Sequence, residues 1–421
     1  MHIRVSGPGF WLNRSQRSFV FGSQKDIRFK AVENNWITTY DSVSNRYART
    51  NRKEFNLRAN LEPLPDMRLD VNMQRTISLS YQEFFRYDND ANSTTYGKFR
   101  SFAETESGTF SMTIVTASSA FESLSANGDS KFFDTFEGNR FRISQRLAAE
   151  KGISTTDSTG FYDGYGRYSQ QVLIPAFIAA YTGKTTNGVS LNPFPKIPLP
   201  NWRLSYTGFM KFDWISEYFT NFVVNHAYTS TYNVNSFNRP TTKAVTYAAN
   251  GNFVPTYEIQ QLTISETFAP LIGFDMTMKN KLNIVLEYKQ SRNLGLSFAN
   301  TRVEQLNTFE YNVGLGYTTN NLQLPFSIGN GQSVLKNDLN MRLDFNIRLN
   351  RGAIHRMDQG FSDVINGSRV ISIKPSAEYV LNQRFQVRLF YDRLVTKPFI
   401  STTFPTAITS LGFSLRINIG A

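Results

Sequence analysis

The 421-residue sequence predicts an all-β fold, a transmembrane antiparallel β-barrel with a partly helical insertion, and three observations carry that expectation. The first is DLNMRLDFNIRLN (338–350), which alternates without a break. Leu339, Met341, Leu343, Phe345, Ile347 and Leu349 stand on one parity, and Asp338, Arg342, Asp344 and Arg348 on the other. Successive side chains of a strand point to opposite faces, so this is a two-faced strand. The second is length: a globular strand averages about 5–6 residues, whereas a tilted membrane-crossing strand needs roughly 9–11. The third is uniformity. Strand after strand repeats the same polarity, with too few amphipathic helices between them to cover every oily face.

In chain order the candidate strands begin with EFNLRANLE, DMRLDVNMQ, GTFSMTIV, FVVNHAYTSTYNV and YEIQQLTISETF. KLNIVLEYKQ then sets Leu282, Ile284, Leu286 and Tyr288 against Asn283, Glu287 and Lys289. FEYNVGLGY and the opening stretch follow. RFQVRLFYD sets Phe385, Val387, Leu389 and Tyr391 against Gln386, Arg388 and Asp392. LGFSLRINI sets Leu411, Phe413, Leu415, Ile417 and Ile419 against Ser414, Arg416 and Asn418. Clusters of Gly, Asn and Pro separate these runs. Residues 130–200 break the rhythm. Phe133, Phe136, Arg140, Ile143 and Leu147 have helical spacing behind Ser130, a cap residue. QQVLIPAFIAAYTG (170–183) has about helix length and contains Pro175, and the proline-rich NPFPKIPLPNW (193–202) reads as a stiff extended connector. Together they form one insertion between strands.

Alternation also fits a soluble β-sandwich, whose oily faces meet sheet to sheet; strand length and uniformity favour the barrel. Short turns of membrane barrels lie on the periplasmic side and long loops outside. The Asn382-Gln383 turn is short, so 385–393 runs outward, 396–405 is an external loop and 407–419 returns. Working back, 370–381 descends, 351–368 is a long external loop and 338–350 ascends. Residues 319–334 are then periplasmic and too long for a tight turn, so they hold a short extra hairpin or fold against the interior. A one-residue slip would carry Arg342, Asp344 and Arg348 into hydrocarbon, at about 2–4 kcal/mol for each basic side chain near the midplane. The register is therefore strongly specified.

The net charge of +12 asks for an acidic partner. Lys and Arg are interspersed with Asp, Asn and Glu along the strands, without the basic, aromatic-interleaved run of a nucleic-acid surface, so nucleic acid is not an expected partner. No run of 18 apolar residues is present, which removes a membrane-spanning helix. MHIRVSGPGFWLNRSQ has neither the apolar core nor the cleavage site of a signal peptide. With no cysteine, thiolate catalysis, disulfides and Cys-type zinc sites drop out. His2, His226 and His355 are far apart in sequence; His226 reads as a pore-facing or internally satisfied polar group. DNDANSTTYG spaces Asp88, Asp90 and Asn92 like a calcium loop, but Ser93 stands where glycine is required and Phe99 where the closing glutamate would be. Phosphate-cradle and nucleophile-elbow patterns are absent. No catalytic, cofactor or metal site is expected, and the chain is not read as an enzyme.

What remains is transport. Glu287, Lys289, Arg342, Asp344, Arg348, Arg388, Asp392 and Arg416 are the candidate lumen-lining residues, because hydrated side chains keep a channel wet and discourage sticking of passing polypeptide. Cross-strand ion pairing is their alternative, structural role. Tyr288, Tyr391 and Phe399 suit the membrane interface, where an amphipathic ring is favoured.

The segments IKPSAEYVLNQRFQVRLFYDRLVTKPFISTTFPTAITSLGFSLRI (373–417), VLKNDLNMRLDFNIRLN (334–350) and EYKQSRNLGLSFAN (287–300) resemble the C-terminal end of the SprA/Sov family, the outer-membrane translocon of the type IX secretion system. LIPAFIAAYTG, PLPNWRLSYTG and FVFGSQKDIR resemble the same family further upstream, in colinear order over nearly the whole chain. The resemblance implies residence in the outer membrane of a Gram-negative bacterium and a very large single-chain barrel. It implies export of folded cargo bearing a C-terminal secretion domain, a PorV-type barrel as neighbour, a periplasmic plug and membrane lipid as solvent. Family members are several times longer, so residues 1–421 read as the C-terminal portion of a larger wall, with 130–200 as its insertion. A stand-alone porin-like channel for small solutes is the other reading.

Overall fold

The computed structural model describes residues 26–40, 46–122, 124–125, 127–239, 247–320, 322–323, 334–335, 337–381, 384–399 and 403–417. The strands are β1 (Tyr47–Leu61), β2 (Met67–Tyr87), β3 (Phe99–Thr113), β4 (Asn201–Tyr206), β5 (Phe219–Arg239), β6 (Glu258–Ile259), β7 (Gln261–Met278) and β8 (Leu282–Ser297). They continue with β9 (Arg302–Thr319), β10 (Leu322–Gln323), β11 (Val334–Leu335), β12 (Leu339–Arg356), β13 (Phe361–Val380), β14 (Phe385–Pro398) and β15 (Thr406–Ile417). One antiparallel sheet runs β1-β2-β3-β5-β7-β8-β9-β12-β13-β14-β15, with β4 between β2 and β5, and β6 beside β5. β1 and β15 do not pair with each other among the described residues, and each stands at an edge of the described sheet.

Every segment expected to be a strand is one over its described residues, Asn418 and Ile419 lying outside them, and most are longer than their alternating runs. β2 and β5 reach 21 residues each, about twice a membrane crossing. The expected external loop 351–368 is a correction: β12 continues to Arg356 and β13 begins at Phe361, leaving 357–360 as the connection. The run looked broken because Arg351 and His355 fall on the apolar parity and a bulge shifts the register between Gly352 and Ala353. The expected hairpin within 319–334 corresponds to the small β10–β11 pair, and the Asn382-Gln383 turn lies outside the described residues.

Register carries the two parities across the sheet as two faces. Ile272, Tyr288, Tyr311, Ile347, Ile371, Val395 and Ala407 form one continuous apolar row over seven strands. On the opposite face Glu287, Asn312, Asn346 and Ser372 form a polar row.

The insertion leaves from mid-sheet. β3 pairs with the upper part of β2 and of β5, and β4 pairs with the lower part of the same two strands. β3 and β4 are thus one strand line, split by residues 114–200, which begin earlier than the expected 130. That segment folds over the upper half of the apolar face. Helix α1 (Arg28–Glu33), near the top of β1 and β2, precedes it. Helix α2 (Lys131–Lys151) starts at Ser130, whose hydroxyl accepts the Phe133 N–H, and buries Phe133, Phe136, Arg140, Ile143 and Leu147 as the spacing predicts. Helix α3 (Gln170–Thr182) is buried from Val172 to Tyr181. These helices close a core on Phe110, Met112, Tyr232, Val234, Phe237, Leu262, Ile264, Leu294, Leu296 and Val303 of the sheet. Phe194 of the proline-rich connector wedges between Phe110, Phe237 and Tyr257.

A buried polar lock fixes the insertion at its root. Glu266 (β7) and Arg292 (β8) form an ion pair at 2.7 Å, with both side chains at most 3% exposed. Glu266 also accepts from Thr116 at 2.5 Å and from the Tyr228 hydroxyl at 2.8 Å. Arg292 donates to the Ser119 carbonyl at 2.6 Å, and Gln290 to the Ala120 carbonyl at 2.5 Å. Sheet side chains therefore satisfy the backbone of 116–120, which would otherwise be buried without partners. Glu266→Ala strands Arg292 in that site, and loss of one partner of a buried pair costs about 3–5 kcal/mol. The expected result is rapid proteolysis within 114–200 while the strands stay protected. Glu266→Leu combined with Arg292→Met should recover most of the protection, since an apolar pair removes the stranded charge.

Candidate functional site: a wet face and a bare apolar band

All eight predicted lumen-lining residues lie on the polar face. Glu287 and Lys289 pair at 2.7 Å along β8, and Arg342 and Asp344 at 2.7 Å along β12. Arg348 crosses to Glu310 of β9 at 3.2 Å, and Asn346 donates to Glu310 at 2.9 Å. Asn312 donates to Glu287 at 3.3 Å. Glu287, Asn312, Arg342, Asp344, Asn346 and Arg348 border a trough of about 870 Å³ that Ser372 and Lys374 line on the β13 side. Gly314 and Gly316, opposite Asp344 and Arg342, carry no side chain to fill it. Arg388 stands opposite Glu378, Asp392 opposite Ser410 and Arg416 opposite Gln386, on the same face but outside the trough. The structure therefore joins four of the eight, Glu287, Arg342, Asp344 and Arg348, at one concavity and leaves Lys289 and the other three outside it. Same-strand and cross-strand ion pairs coexist with hydration, so the structural role and the wet-wall role are compatible; exposed pairs of this kind are worth about 0–1 kcal/mol.

The apolar face divides into two levels. Above, the insertion covers it. Below, Leu339 to Ile347 of β12 and their row partners stand open. Eight residue steps at about 3.4 Å give about 27 Å along the strand, or about 21 Å of height at the roughly 40° tilt of membrane barrels, close to their apolar band of about 25 Å. Phe413 is 78% exposed, Leu411 73% and Leu389 55%. A monomer in water rarely leaves more than a few hundred Å² of contiguous apolar surface open, and this band runs from Phe55, Leu57 and Leu61 on β1 to Leu415 and Ile417 on β15.

The boundary between the levels is a line of polar residues on the apolar parity, and sequence reasoning missed it. In β8 that parity reads Leu282, Ile284, Leu286, Tyr288, then Gln290 and Arg292, then Leu294 and Leu296. The polar interruption was the available signal: it marks where hydrocarbon gives way to protein backbone. Tyr288 stacks on Tyr311 at 4.8 Å immediately below this line, Phe399 lies above it beside Gly367, and Tyr391 sits just below Arg393.

The remaining sequence candidates are structural. His226 is on the apolar face, its Nδ1 2.7 Å from the Leu271 carbonyl, so it is internally satisfied rather than pore-facing. His355 stacks on Phe133 of α2 and bonds Ser362 at 2.8 Å. In the Asp88 loop the Ser93 and Thr95 hydroxyls donate to the carboxylate and hold it below the usual range, with Arg100 adding an ion pair at 2.8 Å. Among the described residues no three His, Asp or Glu side chains converge as a metal site would require.

No family model and no curated protein matches the chain. Among solved structures, a likeness is found to OmpT, an in-vitro folded outer membrane protein of Vibrio cholerae in its trimer form. It has 9% sequence identity, covers 88% of this chain and 99% of that one, and has a TM-score of 0.22. At that score the superposition transfers neither fold nor function.

Proposed function

We propose that this chain is part of the wall of an outer-membrane channel, with the bare band in lipid and the trough face toward a wet lumen. One observation carries the reading: a single apolar surface is covered by the protein's own helices in its upper half and left open, at membrane height, in its lower half. A soluble sandwich would cover both halves. The insertion then lies above the bilayer at the outer end, since β12 ascends toward it in the topology expected from the turns.

The finer reading is the type IX translocon, which passes folded cargo to the cell surface, and it rests on the resemblance to the SprA/Sov family. The outer edges of β1 and β15, unpaired among the described residues, favour a partial wall over a self-contained porin, because an unpaired strand edge calls for a further strand. Hydrated, mutually neutralised charges on the inner face suit passage of folded polypeptide. The PorV-type neighbour, the plug and the cargo follow from the resemblance alone.

Three measurements test this. Extraction should need detergent, and a monomer that folds cooperatively in plain buffer would overturn the membrane reading. In planar bilayers the isolated chain should give no stable single-channel step; a discrete, reproducible conductance would favour the porin. Leu343→Arg places a cation in the bare band at about 2–4 kcal/mol, so its folding into vesicles should fall sharply. Arg342→Gln, on the wet face, should fold like the wild type.

A further inference from the structure

The charges on the band side are distributed one-sidedly. On β8, β9, β12, β13, β14 and β15 every carboxylate among the described residues stands on the wet face: Glu287, Glu304, Glu310, Asp344, Asp363, Glu378 and Asp392. The apolar face of the same strands carries Arg351, Arg369, Arg393 and Lys397 in the open, beside the buried Arg292. Arg369 and Lys397 are direct cross-strand partners. Like charges so placed, with Cβ atoms about 5 Å apart, repel. Arg351 is diagonal to Arg369, one row higher, with its guanidinium on the Leu124 carbonyl at 3.4 Å. Arg393 stands on the same face of β14, beside Thr409 of β15. No carboxylate of the described residues relieves this cluster on its own face.

Its level is informative. Gln290, Phe309, Leu349, Arg369 and Lys397 occupy one row, the first above the Ile272–Ala407 apolar row. Arg369 and Lys397 thus lie at the rim of the band, where the insertion does not reach β14, and Arg393, opposite Ile373, stands two rows lower on the same face. Below it, Leu343, Pro375, Ala377, Leu389, Tyr391 and Leu411 border a shallow apolar groove of about 400 Å³. The six residue steps from Arg369 to Pro375 span about 20 Å along the strand, a depth within the roughly 30 Å hydrocarbon core.

We infer that Arg369, Arg393 and Lys397 seat the phosphorylated headgroup of an outer-leaflet lipid carrying more than one phosphate, with an acyl chain along the Pro375 groove. Repulsion between Arg369 and Lys397 is relieved by the polyanion, and the chain fills surface that no described residue covers. The inference rests on the membrane-wall reading. It explains why uncompensated positive charge collects on the face that otherwise excludes charge.

The test uses the full chain refolded in detergent, analysed by native mass spectrometry with diphosphoryl lipid A, phosphatidylcholine or inorganic phosphate added. Wild type should retain lipid A roughly 100-fold better than Arg369→Gln/Arg393→Gln/Lys397→Gln, the loss expected from three basic residues at a charged membrane surface. The charge-conserving Arg369→Lys/Arg393→Lys/Lys397→Arg variant should keep the lipid, and millimolar phosphate should not displace it. Equal retention by the Gln variant, or displacement by free phosphate, overturns the headgroup seat. Flotation with neutral phosphatidylcholine vesicles separates the two readings. If wild type and Gln variant both float yet neither prefers lipid A, this inference alone fails. If neither floats while circular dichroism shows intact β-structure, the membrane wall fails and takes the inference with it.

Discussion

The structure depends on one constraint: a sheet with a continuous apolar face must have that face covered, and this protein covers only part of it. The row from Ile272 to Ala407 is apolar in register from β7 to β15, so the demand for cover extends across the wall, broken on β14 by Arg393. The helices meet it above Tyr288 and Tyr311; below them the side chains stand open. Hydrophobic burial at about 25 cal/mol per Å² makes such a surface costly in water and inexpensive in hydrocarbon. Every other feature follows from where that cover ends.

The insertion makes the same point from the protein side. It does not hang from a terminal loop but interrupts a strand line between Thr113 and Asn201, at the height where the band stops. A segment leaving mid-sheet exposes backbone that a strand would have paired. Gln290, Arg292 and Glu266 supply the missing partners, which is why polar side chains occupy positions that lipid would not tolerate. The wet face has no such discontinuity: its charges neutralise one another along and across strands and leave a trough where Gly314 and Gly316 replace side chains.

Particular residues show how far the sequence could be read. Leu339 to Leu349 gave both the strand and its faces, because the two-residue period is fixed by the backbone and needs no partner. Ser130, Phe133, Phe136 and Ile143 gave α2 for the same local reason, and parity alone grouped all eight charged candidates on one face of the sheet. The segment 351–368 was misread because its pattern depends on the environment: once α2 packs over the sheet, His355 can stack on Phe133, and Arg351 can bond the Leu124 carbonyl. Polarity on the apolar parity then no longer signals a loop.

By itself the sequence determined the all-β class, the position of the strands and which residues share a face, since each follows from neighbours within a few positions. Tertiary structure alone decided that β3 and β4 are halves of one strand, that residues 114–200 lie on the apolar side and that the band is bare only below Gln290. It alone brought Arg369 and Lys397 side by side at one rim, with Arg393 two rows lower on the same face. Those facts are set by contacts between residues tens to hundreds of positions apart, and parity along a chain carries no information about what will stand opposite.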